Sequence, residues 1–363
     1  MTSRPPRLLD LSHASSVLSL LALGLVTQVG GGQPLWNLLA VVVLAISVMT
    51  SVHHAEVIAA KVGPSLGAIV LALAVTVIEV GLIVSMMTND TPDSAVVARD
   101  TVFSAVIIVT NGILGVCLLV GGLRAKEMEF HAGGTSSLLA VLAVLSSLTL
   151  VLPNFTTTTA DRTYSTPQLI FASVASFVLY GCLLFAQTRT HKDYFEPPGD
   201  SIVPGHGHAA PTKPGAWLAF LALVLSLCAV IGFAKTLSPA IATGIDTLGA
   251  PRSTVGIVIA LLVLAPETWA AVAAARDNQL QTSLNLALGS GAASIALTIP
   301  VVGAFVIVTG RPLVLGLEPK NLVFLVLTFL TAGLTLGRGS STALQGLIHL
   351  VLLCAFLALS FLP

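Results

Sequence analysis

Residues 71–84 read LALAVTVIEVGLIV, and residues 258–272 read VIALLVLAPETWAAV. Each is an apolar run broken by one acid, Glu79 in the first and Glu267 in the second, with a valine (Val75, Val263) four residues earlier. A charged side chain at mid-bilayer costs at least ~2.5–3.5 kcal/mol on insertion scales. An acid in such a run is therefore costly unless it pairs with a cation, a proton or another acid. No Lys or Arg lies within a turn of either glutamate. These two runs read as membrane-crossing helices that carry functional carboxylates.

The rest of the chain agrees. Of 363 residues, 55% are hydrophobic and 9% are charged, against roughly 25% charged in a soluble domain. Formal net charge is zero. No basic tract suggests nucleic acid, and no acidic tail suggests a charged partner. Cys117, Cys182, Cys228 and Cys354 lie in apolar segments without a CxxC pair, so neither a disulfide framework nor a zinc site is indicated. They read as small buried apolar residues. The basic start MTSRPPRLLD precedes an apolar run over 17–29 without a convincing small-x-small cleavage site, so it reads as a retained first span.

Apolar runs of about 20 residues give about eleven spans: 17–33, 35–58, 63–88, 101–123, 135–153, 167–188, 214–236, 252–275, 281–309, 320–337 and 342–362. With the N-terminus inside, the inner segments hold Arg4, Arg7, Lys61, Arg124, Lys126, Arg189, Lys192, Lys213, Arg276 and Arg338. The outer segments hold Arg99, Arg162, Lys235, Arg252, Arg311 and Lys320. Ten against six favours a cytoplasmic N-terminus. The longest polar stretch, RTHKDYFEPPGDSIVPGHGHAAPTK over 189–213, reads as a cytoplasmic linker.

Five spans precede that linker once the first is set aside, and five follow it. The glutamate runs occupy the same place in each half, and each is followed by a span dotted with small and hydroxyl residues: SAVIIVTNGILGV after the first, LNLALGSGAASIALTIP after the second. By the span count one glutamate helix runs outward and the other inward. The expected architecture is an all-α integral membrane protein with one orphan helix and two inverted five-helix repeats. Its parts are the N-terminus and orphan helix at 1–34, a first repeat at 35–188, the loop at 189–213 and a second repeat at 214–363.

Burial raises a carboxyl pKa, and a second carboxylate nearby raises it further. A divalent cation reverses the balance and expels protons. Proton and cation then compete for the same oxygens, as exchange requires. Pro266 has no N–H, so the Leu262 carbonyl loses its helical partner and becomes available to an ion. Thr76, Thr110, Asn111, Asn285, Ser290, Ser294 and Thr298 offer hydroxyl or amide oxygens, with helix–helix bonding as the plainer alternative for each. Gly289 and Gly291 allow close helix approach. His53, His54 and Glu56, at the inner end of the second span, suit a gate or proton path, or a plain interfacial cap. His191, His206 and His208 read as solvated loop residues, because no further ligand has metal-site spacing. No HExxH, P-loop or Rossmann fingerprint is present.

Over VHHAEVIAAKVGPSLGAIVLALAVTVIEVGLIV (52–84), ARDTVFSAVIIVTNGILG (98–115), QTRTHKDYF (187–195) and VLAPETWAAVAAARDNQLQTSLNLALGSGAASIALTIPVV (263–302), the chain resembles the ChaA-type branch of the cation/calcium exchanger superfamily. The resemblance implies exchange of calcium, or of sodium or potassium, for protons, and implies that Glu79 and Glu267 are the two exchanger glutamates. The chain departs from the wider superfamily in carrying Val77-Ile78 where a Gly-Asn pair often precedes the first glutamate. Its loop is also only weakly acidic, with Asp193, Glu196 and Asp200.

The expected function is a calcium/proton antiporter of a bacterial cytoplasmic membrane. It would have no cofactor beyond the transported ion and protons, membrane lipid as surroundings and no nucleic-acid partner, and a homo-oligomer is left open. A sodium or potassium/proton antiporter using the same glutamates is the alternative. An intramembrane enzyme with a glutamate acid/base pair is the rival from another class.

Overall fold

The computed structural model describes residues 7–29, 34–62, 64–88, 94–196, 213–247, 249, 251 and 254–362. The helices in chain order are α1 (Arg7–Val29), α2 (Pro34–Val62), α3 (Pro64–Met87), α4 (Val97–Ile107), α5 (Leu114–Ala125), α6 (Ala132–Ser146), α7 (Thr166–Phe185), α8 (Lys213–Thr247), α9 (Thr254–Arg276), α10 (Leu280–Thr309), α11 (Pro319–Leu336) and α12 (Ala343–Phe361). α4 and α5 form one span joined by a π-turn, Ile108–Ile113, and further π-turns extend α6 (Ser147–Val151) and α7 (Ala186–Thr190). Eleven long helical stretches thus occupy the eleven expected spans among the described residues. In a bilayer no water is available to the backbone, so long apolar runs close their hydrogen bonds within helices. Nine of these stretches are long and apolar enough to cross a membrane, and α1 and α3 hold the shorter apolar stretches Ala14–Val26 and Ala72–Met87. The protein is a multi-pass, all-α integral membrane protein.

Three local expectations are corrected. The span expected at 214–236 continues as α8 to Thr247, straight through Pro239. Pro239 offers no N–H to the Lys235 carbonyl, and hydroxyls of Thr236 and Thr243 bond the neighbouring carbonyls of Gly232 and Pro239 at 2.9 Å. At ~1.5 Å per residue this helix is longer than the ~30 Å hydrocarbon core. Secondly, β1 (Glu127–Glu129) and β2 (Ser340–Thr342) pair antiparallel between loops that held no strand signal. Thirdly, only Cys117 is buried, whereas Cys182, Cys228 and Cys354 lie on exposed helix faces.

The chain forms two compact units. The first comprises Met1–Asn89 and Pro204–Thr247, and the second Asp90–Val203 and Leu248–Pro363. In the first, α2 packs on α8, α3 and α1. Polar pairs key these helices together: Ser15 Oγ to Thr50 Oγ1 (3.2 Å), Ser16 Oγ to His54 Nε2 (3.4 Å) and Ser51 Oγ donating to Ser226 Oγ (2.8 Å).

In the second unit, α5 packs on α12 and α10 on α7. These are reciprocal pairs, the third helix of one half with the fifth of the other. Both fifth helices also start with the same device, a capping box: Ser165 with Gln168 opens α7, and Thr342 with Gln345 opens α12. The loops of this unit gather at two ends. At one end, Arg124 Nη1 donates to the Arg276 carbonyl (2.6 Å), the His131 N–H donates to Gln281 Oε1 (2.7 Å), and β1 pairs with β2. At the other, the N–H groups of Val314, Gly316 and Leu317 donate to the carbonyls of Ala95, Arg162 and Leu150, each at 3.0 Å. Alternate loops therefore lie at opposite ends, as successive crossings of a membrane require.

Candidate functional site

In the first unit, Val75, Ile78, Glu79, Leu82, Ile83 and Met86 form the buried stripe of α3, while Leu73 and Val77 are exposed. The spacing of three and four residues is that of one helix face. Glu79 is 2% exposed in the middle of that stripe. Thr76, one turn earlier, is buried and donates to the Ala72 carbonyl at 2.8 Å, which leaves its oxygen lone pairs turned outward from the helix. Gly81 admits α8: a Cβ there would fall 2.6 Å from Ile231 Cγ1. His54 is buried on α2 against Ser16 of α1, whereas Glu56 is exposed. With His53 half-buried, the three residues suggested as a gate or proton path are thus divided between different environments.

In the second unit, Ala260, Val263, Leu264, Glu267, Ala271 and Ala275 make the buried face of α9, with Leu261 and Trp269 exposed. Glu267 is 6% exposed. Ser290 Oγ lies 3.5 Å from Glu267 Oε1, and Ser283 Oγ donates to the Ala271 carbonyl at 2.8 Å, so α10 is tied to α9 beside the acid. Pro266 sits inside the helix directly before it. Ser290, Ser294 and Thr298 follow one another at four-residue intervals along α10, and the last two are buried. The Thr298 hydroxyl makes no hydrogen bond among the described residues. Gly289 has open space where a Cβ would point, and Gly291 lies against Val109 and Leu142.

Two amides offered as oxygen donors have helix and loop partners, the alternative left open for each. Asn111 donates through Nδ2 to Thr328 Oγ1 (2.8 Å), and its Oδ1 meets His349 Nδ1 (3.1 Å). Asn285 accepts from Gln281 Nε2 (2.9 Å) and donates to the Phe195 carbonyl (2.5 Å), which fastens the start of the central loop to α10. Thr110 donates to the Val106 carbonyl within its own span. His191, at 3.0 Å from Thr190 Oγ1, lies on the exposed stretch that enters the loop. His206 and His208 lie outside the described residues. Among the described residues no group of three or more His, Cys, Asp or Glu comes together to hold a metal.

Two further polar features lie outside the pattern of intramembrane acids. His349, 0% exposed on α12, bridges Asn111 and Thr335. Arg99, counted with the outer segments, and its neighbour Asp100 are both 5% exposed and paired at 2.7 Å, with Arg99 also donating to the Gly316 carbonyl at 3.4 Å. A count of every ionisable side chain in an apolar run, rather than of acids alone, would have singled out His349.

Comparison with known proteins places this arrangement. The family described as sodium/calcium exchanger protein matches residues 33–189 and 218–362. A putative ionic transporter, y4hA, of Sinorhizobium fredii is 47% identical over 317 residues, 87% of this chain and 86% of that protein. The sodium-potassium/proton antiporter ChaA of Escherichia coli is 34% identical over 334 residues, 90% and 88% of the two chains. The crystal structure of the H+/Ca2+ exchanger CAX has a similar fold, with a TM-score of 0.71 at 12% identity over 96% of this chain and 87% of that one. The chain belongs to the sodium/calcium exchanger protein family and is a transporter, not an enzyme.

Proposed function

We propose that this transporter is a secondary antiporter that exchanges a cation for protons by alternating access, with Glu79 and Glu267 as its exchanging carboxylates and calcium as its preferred cation. The observation that carries the proposal is the burial of both acids, 2% and 6% exposed, on the core faces of apolar helices. A carboxylate so placed needs a proton or a cation. Glu267 has Ser290 beside it, and the Leu262 carbonyl released by Pro266 is one turn away. Thr76 and Thr110 give their protons to carbonyls and keep lone pairs for an ion. Ser294 and the bare backbone at Gly289 extend the oxygen supply along α10. Asn111 and Asn285 are assigned to helix and loop anchoring instead.

One calcium balances the charge of two released protons, one from each glutamate, whereas one sodium balances the charge of a single proton. Calcium takes about 6–8 oxygen ligands, which hydroxyls and carbonyls of this kind can complete. The printed name of the Escherichia coli relative keeps the monovalent reading as the alternative. We place the protein in a bacterial cytoplasmic membrane. The end holding Arg124, Lys126, Arg189, Lys192, Arg276 and Arg338 faces the cytoplasm. In proteoliposomes carrying a pH gradient, added calcium is expected to dissipate the gradient more effectively than sodium or potassium. A stronger response to a monovalent ion would replace calcium, and no response to any of the three would refute the antiporter.

A further inference from the structure

We propose that His349 is a positioning residue for the Glu267 carboxylate, acting through the π-turn Ile108–Ile113. The inference rests on the antiporter reading above. His349 is fully buried on α12, in a span that is otherwise largely apolar. Its ring nitrogens are both used: Nδ1 at 3.1 Å from Asn111 Oδ1 and Nε2 at 3.2 Å from Thr335 Oγ1. Asn111 gives its Nδ2 protons to Thr328 Oγ1, so its Oδ1 accepts, and the imidazole carries its proton on Nδ1. Nε2 then accepts from the Thr335 hydroxyl. The imidazole thus joins α12 and α11 to the one polar amide inside the π-turn. Close helix packing makes the reach possible. A Cβ on Gly115 would lie 3.1 Å from His349 Cβ, and one on Gly346 would lie 2.5 Å from the Leu119 nitrogen.

A π-turn carries one residue more than the α-helix it interrupts and persists where something holds it. Here the Asn111 amide, clamped from two sides, is that hold. The turn packs against α9 and α10, which carry Glu267 and Ser290. The contact is specific: a Cβ on Gly291 would meet Val109 Cγ1 at 3.3 Å. Ser290, the preceding residue, sets its hydroxyl 3.5 Å from Glu267 Oε1. If the turn relaxed to a regular helix, the two halves of the span would turn against each other by about 100° and the residues within the turn, Val109 among them, would be redirected. Val109 would leave Gly291, and the Ser290 hydroxyl would move off the carboxylate. A chain of contacts therefore runs from His349 through Asn111, Val109 and Gly291 to Ser290 and Glu267.

The test separates positioning from simple filling of a polar hole. An asparagine at 349 offers an amide N–H where Nδ1 stands and keeps the bond to Asn111. A glutamine offers its amide where Nε2 stands and keeps only the Thr335 side. Apparent KM and maximal rate for calcium are measured in proteoliposomes, with the thermal midpoint of each purified variant. His349→Gln is expected to raise KM about tenfold with the midpoint held, as one buried hydrogen bond of ~1–2 kcal/mol implies. His349→Asn is expected to stay within about twofold of wild type, since it keeps that bond. Val109→Ala, which leaves the polar network intact, is expected to shift KM in the same direction. A wild-type KM in His349→Gln or Val109→Ala, or KM changes that merely track lost thermal stability in both 349 variants, would overturn the inference. Wild-type exchange is scored first in the same vesicles: its absence would overturn the antiporter reading and this inference together, whereas its presence beside unaffected variants would overturn this inference alone.

Discussion

The burial of Glu79 and Glu267 was legible because helix periodicity alone puts each on the same face as its buried neighbours, and the exchanging role proposed for them rests on that burial. Glu→Gln keeps size and shape and removes the charge. Either single substitution is expected to leave expression and thermal stability near wild type and to abolish cation-driven proton movement; near-normal exchange in a well-folded variant would remove that glutamate from the mechanism. The amides were not legible in the same way. Asn111 and Asn285 have the right chemistry for an ion, but the direction of an amide depends on helix phase. The π-turn at Ile108–Ile113 changes the phase between residues 107 and 114, so the direction of Asn111 does not follow from the face of α4. Asn285 lies far enough toward the end of α10 to meet the loop carbonyl of Phe195 instead of the acid. His349 escaped because its partners, Asn111 and Thr335, are 238 and 14 residues away in sequence.

At the scale of the element, span positions followed from apolar run length, and most limits fell within a few residues of the observed helices. The failures have local causes. The apolar run that ends the expected span at 236 marks only where polar residues begin, and α8 continues beyond it through Pro239 to Thr247. Helix crossings were legible only in part: Gly291 does meet Val109 and Leu142, but Gly289 faces open space, and a glycine in a span reads the same either way. Gly256 of α9 meets the main chain of α4: a Cβ there would fall 2.6 Å from the Asp100 carbonyl carbon and 2.7 Å from the Thr101 nitrogen. Backbone atoms cannot move aside cheaply, and the same turn of α4 holds the buried Arg99–Asp100 pair. Gly256→Val is expected to cost at least ~1–3 kcal/mol, the range for overpacking, seen as a lower thermal midpoint in detergent. Gly333→Ala on α11, where nothing lies within 4 Å, serves as the control and is expected to be neutral or slightly stabilising, as helix propensity requires. Equal midpoints for the two variants would mean that the α4–α9 crossing is not as close as described.

For the whole molecule, alternation of loops between two ends was implied by the span count, and the second unit displays it directly in the hydrogen bonds that gather its loops. The compact units are a different division from the sequence halves. The first unit combines α1–α3 with α8, because packing partners are chosen across the chain and not along it. Orientation rests on Lys and Arg alone, so it needs its own test. A cysteine at Gly205 is expected to resist an impermeant maleimide added to intact cells and to react in everted vesicles; labelling from outside would invert the topology. In the proposed mechanism, protons and cation compete for the same buried carboxylates. Because ligation requires deprotonated carboxyls, apparent calcium affinity is expected to rise with pH. The most direct measurement is proton release from purified protein in weak buffer when calcium is added. Wild type is expected to release protons, and the Glu79→Gln, Glu267→Gln double variant to release none. Release from the double variant, or release on adding sodium with none on adding calcium at the same concentration, would contradict the account.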